Sequence, residues 1–110
     1  MIIIKVYRNE DNLIHQFDIS GHAHAEEPGK DIVCAAVSAL SQTTLLGLRE
    51  VARIDIAYEI EHGYLSCRLP DALGGTEGRE AQLLLETMVI GLKSMQKGYS
   101  KYIELHDKEV

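Results

Sequence analysis

Three side chains in one short stretch are equipped for chemistry. His22 and His24 flank Ala23, and Cys34 follows ten residues later. A cysteine beside an imidazole is a standard way to hold a thiolate nucleophile at neutral pH. The local sequence also predicts where Cys34 sits. Asp31 is a good helix N-cap, which makes Ile32 the first helical residue and Cys34 the third. Backbone N–H groups are unpaired in that turn and the helix dipole is positive. The turn therefore favours a thiolate, and its free N–H groups could hold the oxyanion of a tetrahedral intermediate.

The bland alternative is a small buried core residue, the commoner fate of a free cysteine. Two features pull away from it. Ser38 and Gln42 follow Cys34 at i+4 and i+8, a more polar line than the neighbouring Val33, Val37 and Leu40 face. A loop carrying both histidines also leads directly into the helix and can fold back over its start.

Other chemistries fit less well. His22, His24 and Cys34 could be three metal ligands, but their spacing matches no common zinc pattern, so no metal or other cofactor is expected. Gly29-Lys30 lacks the Ser or Thr that a phosphate-binding loop needs next, having Asp31 instead. A thiol redox centre would call for a nearby resolving cysteine, and there is no C-x-x-C. Cys67 alternates with Leu65 and Leu69 and reads as core. His15, His62 and His106 receive no role. Asp31 is most simply a cap, although it could also orient an imidazole as the third member of a triad does.

Elements must position these groups. Residues 2–8 alternate as a strand, and 9–12 are turn formers. In residues 13–20, Leu13, His15, Phe17 and Ile19 share one face of a second strand. Residues 21–30 form a loop and 32–50 a helix. Residues 53–60 read as a strand with Ile54, Ile56, Tyr58 and Ile60 on one face, followed by a tight turn and a strand over 64–69. Thr76 caps a second helix whose stripe is Ala81, Leu84, Leu85, Met88, Leu92 and Met95, with Gly98 as its stop. Residues 99–106 make the last strand and 107–110 a frayed tail. The order is β-β-α-β-β-α-β, an α+β fold in one domain over residues 1–110, with a sheet covered by two amphipathic helices.

Composition bounds the partners. The chain has 110 residues and a formal net charge of −6. It lacks the basic footprint of a nucleic-acid binder, so no direct nucleic-acid binding is expected. The opening apolar run lacks the features of a signal peptide, and no stretch approaches the length needed to span a bilayer, so no membrane is expected and the protein reads as cytoplasmic.

With these residues in view, Gly21-His22-Ala23, Gly29 and "DIVCAAVSAL" from Asp31 to Leu40 resemble the ribosomal-processing cysteine protease (Prp) family, over nearly the whole chain. The resemblance implies a cytoplasmic endopeptidase that removes the N-terminal extension of a large-subunit ribosomal protein, number twenty-seven of its series, cutting after a phenylalanine. It implies a small α/β domain that forms homodimers. It also implies a mobile glycine-flanked loop admitting substrate, here Gly21, His24, Pro28 and Gly29. By motif match Cys34 is the nucleophile and His22 the base, with Asp31 and Ser38 at supporting positions. The residues alone leave His22 and His24 as alternative bases; the motif points to His22. Pro28 stiffens the end of the loop. The competing reading is a non-catalytic, ribosome-associated module that binds the same peptide and leaves it uncut.

Overall fold

A computed structural model of the protein describes residues 1–21 and 30–109. The first two strands, β1 (Ile2–Arg8) and β2 (Ile14–Ser20), form the expected antiparallel hairpin. Helix α1 (Lys30–Leu46) runs into a π-helical turn over Gly47–Val51. Then come β3 (Ala57–Glu61), β4 (Tyr64–Arg68), helix α2 (Gly75–Gly98) and β5 (Ile103–Glu109). The element order is the one the periodicities predict. The five strands make one mixed sheet in the order β3-β4-β2-β1-β5, with β1 and β5 parallel and the other pairs antiparallel.

One face of the sheet carries the core. Ile2, Ile4 and Val6 of β1 are buried with Phe17 and Ile19 of β2, Leu65 and Cys67 of β4, and Ile103 of β5. On the opposite face Lys5 is exposed and Ile3 and Tyr7 are only half-buried, so the helices form a single second layer. From α1 come Val33, Val37 and Leu45; from α2 come Ala81, Leu85, Met88, Val89 and Leu92. The helices approach closely where Gly91 meets Leu40: a Cβ at Gly91 would lie 2.8 Å from a Leu40 methyl.

Several boundaries differ from expectation, each for a local reason. The β1–β2 register slips opposite Tyr7 and Arg8, so His15 is the extra residue of a β-bulge. The slip reverses the alternation of β2: Ile14 is buried and Leu13 exposed. The strand expected over 53–60 is shorter. Arg53 sits at φ +59 and the Ile56 N–H bonds to the Ile54 carbonyl, so Ile54 and Ile56 reach the core from outside the sheet. The strand that remains is an edge strand, and Tyr58 and Ile60 lie exposed at the margin of the helix layer. Gly47 ends α1, because the chain widens there into a turn closed by the Ala52 N–H on the Gly47 carbonyl. Helix α2 starts at Gly75, one residue before Thr76, with Gly74 as its N-cap. The last strand begins at Ile103, since residues 99–102 form a turn. Asp107 belongs to that strand, where a frayed tail was expected.

The membrane expectation also needs correction. Ile32–Val51 is twenty residues with a hydropathy of 1.4, long and apolar enough to cross a bilayer by length and composition. Here its Val33, Val37, Leu45 and Leu48 side is buried in the protein core, while Ile32, Leu46 and Val51 are exposed.

Candidate active site

The start of α1 lies over one end of the sheet, where β1 and β4 begin and β2 and β3 finish. A cavity of about 270 Å³ opens there. Ile2, Ile19, Val37, Ile60 and Leu65 supply apolar lining. Polar lining comes from α1 through Cys34, Ser38, Ser41 and Gln42, from the end of β3 through Glu61, and from the β3–β4 turn through His62. Cys34 is free and half-buried, against the core on one side and in the cavity on the other. The polar line of Ser38 and Gln42 behind it is therefore real, and it is tied together: the Gln42 side-chain amide donates to Ser38 Oγ at 2.8 Å.

The two cysteines have different surroundings. Cys67 is 2 % exposed among the apolar residues of the core. Burial, which penalises a thiolate, pushes its pKa up to about 12. Cys67 is the inert core thiol that its alternation predicts, and Cys34 is the thiol that faces a cavity.

The helix start differs from the sequence count. Because α1 begins at Lys30, Asp31 is the second helical residue and not the cap, and Cys34 is the fifth and not the third. The first four N–H groups, which lack partners inside the helix, precede Cys34. The helix-terminal argument therefore reaches Cys34 from the turn before it, with less force than a first-turn position would give.

Gly21, the residue after β2, is held on both sides. Its N–H donates to the Gly63 carbonyl at 3.0 Å, joining it to the β3–β4 turn. Its φ is +108, and a Cβ there would lie 2.2 Å from the Met1 carbonyl oxygen. Only glycine fits. His22, His24, Pro28 and Gly29 lie outside the described residues.

Among the other histidines, His15 occupies the β2 bulge near Tyr7 and His106 contacts Glu104 at 3.0 Å, neither lining the cavity. His62 does line it. Sequence alone gives His62 no role, because a turn residue carries no sign of which helix it will face. Among the described residues, no group of three His, Cys, Asp or Glu side chains could hold a metal ion.

A small α+β domain with one cavity-facing thiol at the start of a helix fits the class of cysteine hydrolases, and comparison with known proteins agrees. The sequence profile of the family described as cysteine protease Prp matches residues 1–104. A ribosomal processing cysteine protease Prp from Staphylococcus aureus is 34 % identical over 98 % of this chain and 100 % of its own length. The crystal structure of the S. aureus Prp with a substrate peptide has a TM-score of 0.86 at 27 % identity, covering 98 % of this chain and 100 % of that one. A second S. aureus structure, with a covalently linked product peptide, has a TM-score of 0.78 at 30 % identity over the same shares. This chain belongs to the cysteine protease Prp family.

Proposed function

We propose that this protein is the endopeptidase that removes the N-terminal extension of large-subunit ribosomal protein number twenty-seven, with Cys34 as nucleophile and His22 as its base. The observation that carries this reading is the contrast between the two thiols: Cys34 opens onto a cavity with polar and apolar lining, whereas Cys67 is sealed in the core. The apolar lining suits an apolar substrate side chain beside the scissile bond, as expected for a cut after phenylalanine.

The chemistry follows from the pair. The Cys34 thiolate attacks the scissile carbonyl carbon, and His22, as imidazolium, protonates the leaving amine. The C–N bond breaks and a thioester remains. Neutral His22 then takes a proton from water, the hydroxide adds to the thioester, and the thiol leaves as thiolate. N–H groups of the first turn of α1 stabilise the oxyanion in both steps. The covalently linked product peptide of the S. aureus relative supports a covalent route. Asp31 and Ser38 take supporting positions, and Gly21, His24, Pro28 and Gly29 form the loop that admits substrate. The reaction needs no cofactor, and the net charge of −6 favours a peptide partner over direct contact with RNA. The family resemblance further supports a cytoplasmic homodimer.

Mass spectrometry of the ribosomal precursor, incubated with wild type and with Cys34→Ala, tests the reading. The expected result is loss of a defined N-terminal segment with wild type alone. A precursor that is bound but left intact by both proteins would instead favour a non-catalytic peptide-binding module.

A further inference from the structure

The hydroxyls of the two helices differ in where their protons go. Ser41 and Thr44 donate back to the carbonyl oxygens of Val37 and Leu40, each at 2.8 Å, and Thr87 does the same to Leu83. That local bond is a common arrangement for a hydroxyl inside a helix. Ser38, like Thr43, Thr76 and Ser94, makes no such bond among the described residues, and of these four it is the one that lines the Cys34 cavity. Its Oγ accepts a hydrogen bond from Gln42 Nε2 at 2.8 Å, and among the described residues its own proton has no acceptor.

A hydroxyl that accepts one bond keeps its proton for another direction. Gln42 occupies the side of Ser38 that faces along the helix, so the proton is turned away from Gln42. Both residues line the cavity that holds Cys34, and Cys34 lies one helical turn before Ser38. Positions four apart on a helix share a face.

We propose that Gln42 is a positioning residue: by donating to Ser38 it directs the Ser38 hydroxyl proton into the Cys34 cavity, toward a carbonyl oxygen of the bound peptide as charge develops on it. This rests on the Cys34 reading given above. The arrangement has a direction, which separates it from simple packing. A side chain that donates to Ser38 keeps the proton in the cavity. A side chain that accepts from Ser38 withdraws it and turns a lone pair toward the substrate.

The test uses the full-length protein and a synthetic peptide spanning the precursor's cleavage region, in single turnover with enzyme in excess. Gln42→Leu removes the donor, Gln42→Glu replaces it with an acceptor, and Gln42→Lys supplies a different donor. Gln42 is exposed, so all three should fold, as circular dichroism would verify. The expected order of cleavage rates is wild type, Lys, Leu, Glu, with the Leu variant slower by ~5-fold, the size of one neutral hydrogen bond. The loss falls on the single-turnover rate at saturating enzyme and leaves the half-saturating enzyme concentration nearly unchanged. In a Ser38→Ala background the Leu variant causes no further loss; where that background is too slow to measure, the order of the three variants decides. A wild-type rate in the Leu variant, a Lys variant no faster than Leu, or a loss that persists in Ser38→Ala overturns the proposal. Cys34→Ala is run alongside. Cleavage by it at the wild-type rate would sink the nucleophile reading, whereas an inactive Cys34→Ala with silent Gln42 variants would sink only the role of Gln42.

Discussion

Arg8 and Asp107 stand on adjacent parallel strands, 99 residues apart in sequence, and meet through two hydrogen bonds: Arg8 Nε to Oδ1 at 2.7 Å and Nη2 to Oδ2 at 3.0 Å. The other side of the guanidinium donates to both carboxylate oxygens of Glu86 on α2, at 2.7 and 2.9 Å, and Lys93 donates to Asp107 at 2.9 Å. Arg8 is thus buried yet satisfied, and it joins the first strand to the last strand and to the long helix. Removing one member of such a cluster strands the others. Arg8→Met is expected to cost about 3 kcal/mol, within the range for breaking a mostly buried ion pair. Urea unfolding of the two proteins measures it, and equal midpoints would show the cluster to be decorative.

The same cluster predicts a response to acid. Hydrogen bonds from Arg8 hold the carboxyls of Glu86 and Asp107 below their ordinary values of 4.5 and 3.8. A carboxylate whose folded pKa is depressed contributes stability above its unfolded pKa and loses it as pH falls through the folded value. The melting temperature of the wild type should therefore fall with a steepening slope below about pH 4.5. Glu86 is partly exposed, so Asp107 should carry the larger share. Asp107→Asn should flatten that slope while lowering stability at pH 7. Thermal melts from neutral to acidic pH would show it, and parallel curves for the two proteins would refute the assignment.

The cysteines offer a chemical readout of burial. Cys67 is sealed in the core and its pKa is pushed up to about 12; Cys34 faces the cavity. Iodoacetamide at neutral pH should add one equivalent to the folded protein, at Cys34, and a second only after denaturation. Peptide mapping identifies the site. In folded Cys34→Ala labelling should disappear; rapid labelling of Cys67 in that variant would contradict its burial.

What the sequence revealed depended on whether the information was local. Ile2, Ile4 and Val6 alternate within one strand, the α2 stripe recurs within one helix, and Cys67 sits between Leu65 and Leu69; all pack into the core as read, with Leu84 and Met95 of the stripe only half-buried. Asp107 looked like tail because its partner Arg8 lies at the far end of the chain. The β2 faces were misread because a bulge at His15, which no residue type announces, reverses the alternation. At the site, the i+4 spacing brought out Ser38 and Gln42 as a polar line. His62 stayed hidden, since its place in the lining of the Cys34 cavity depends on where a hairpin turn docks against a helix. The helix starts two residues earlier than an Asp31 cap implies, enough to shift Cys34 out of the turn with unpaired N–H groups.

Gly21 offers a test of how the loop's origin is set. Its φ of +108 disfavours any side chain, and a Cβ would lie 2.2 Å from the Met1 carbonyl oxygen, a backbone atom that cannot rotate away. Its N–H also fixes the β3–β4 turn through Gly63, at the rim of the Cys34 cavity. Gly21→Ala must therefore move the end of β2, the start of β1, or that turn. Strain of this kind costs on the order of 1–3 kcal/mol. Because the strained point is next in sequence to His22, activity should suffer more than stability. The expected result is a lower melting temperature with the fold retained, and a cleavage rate reduced at least ten-fold at a temperature where the variant is fully folded. Gly98→Ala, at a helix end where an added Cβ meets nothing within 4 Å, is the control and should leave cleavage unchanged. Wild-type cleavage by folded Gly21→Ala would show that the loop tolerates a displaced origin and that glycine at this position serves the backbone alone.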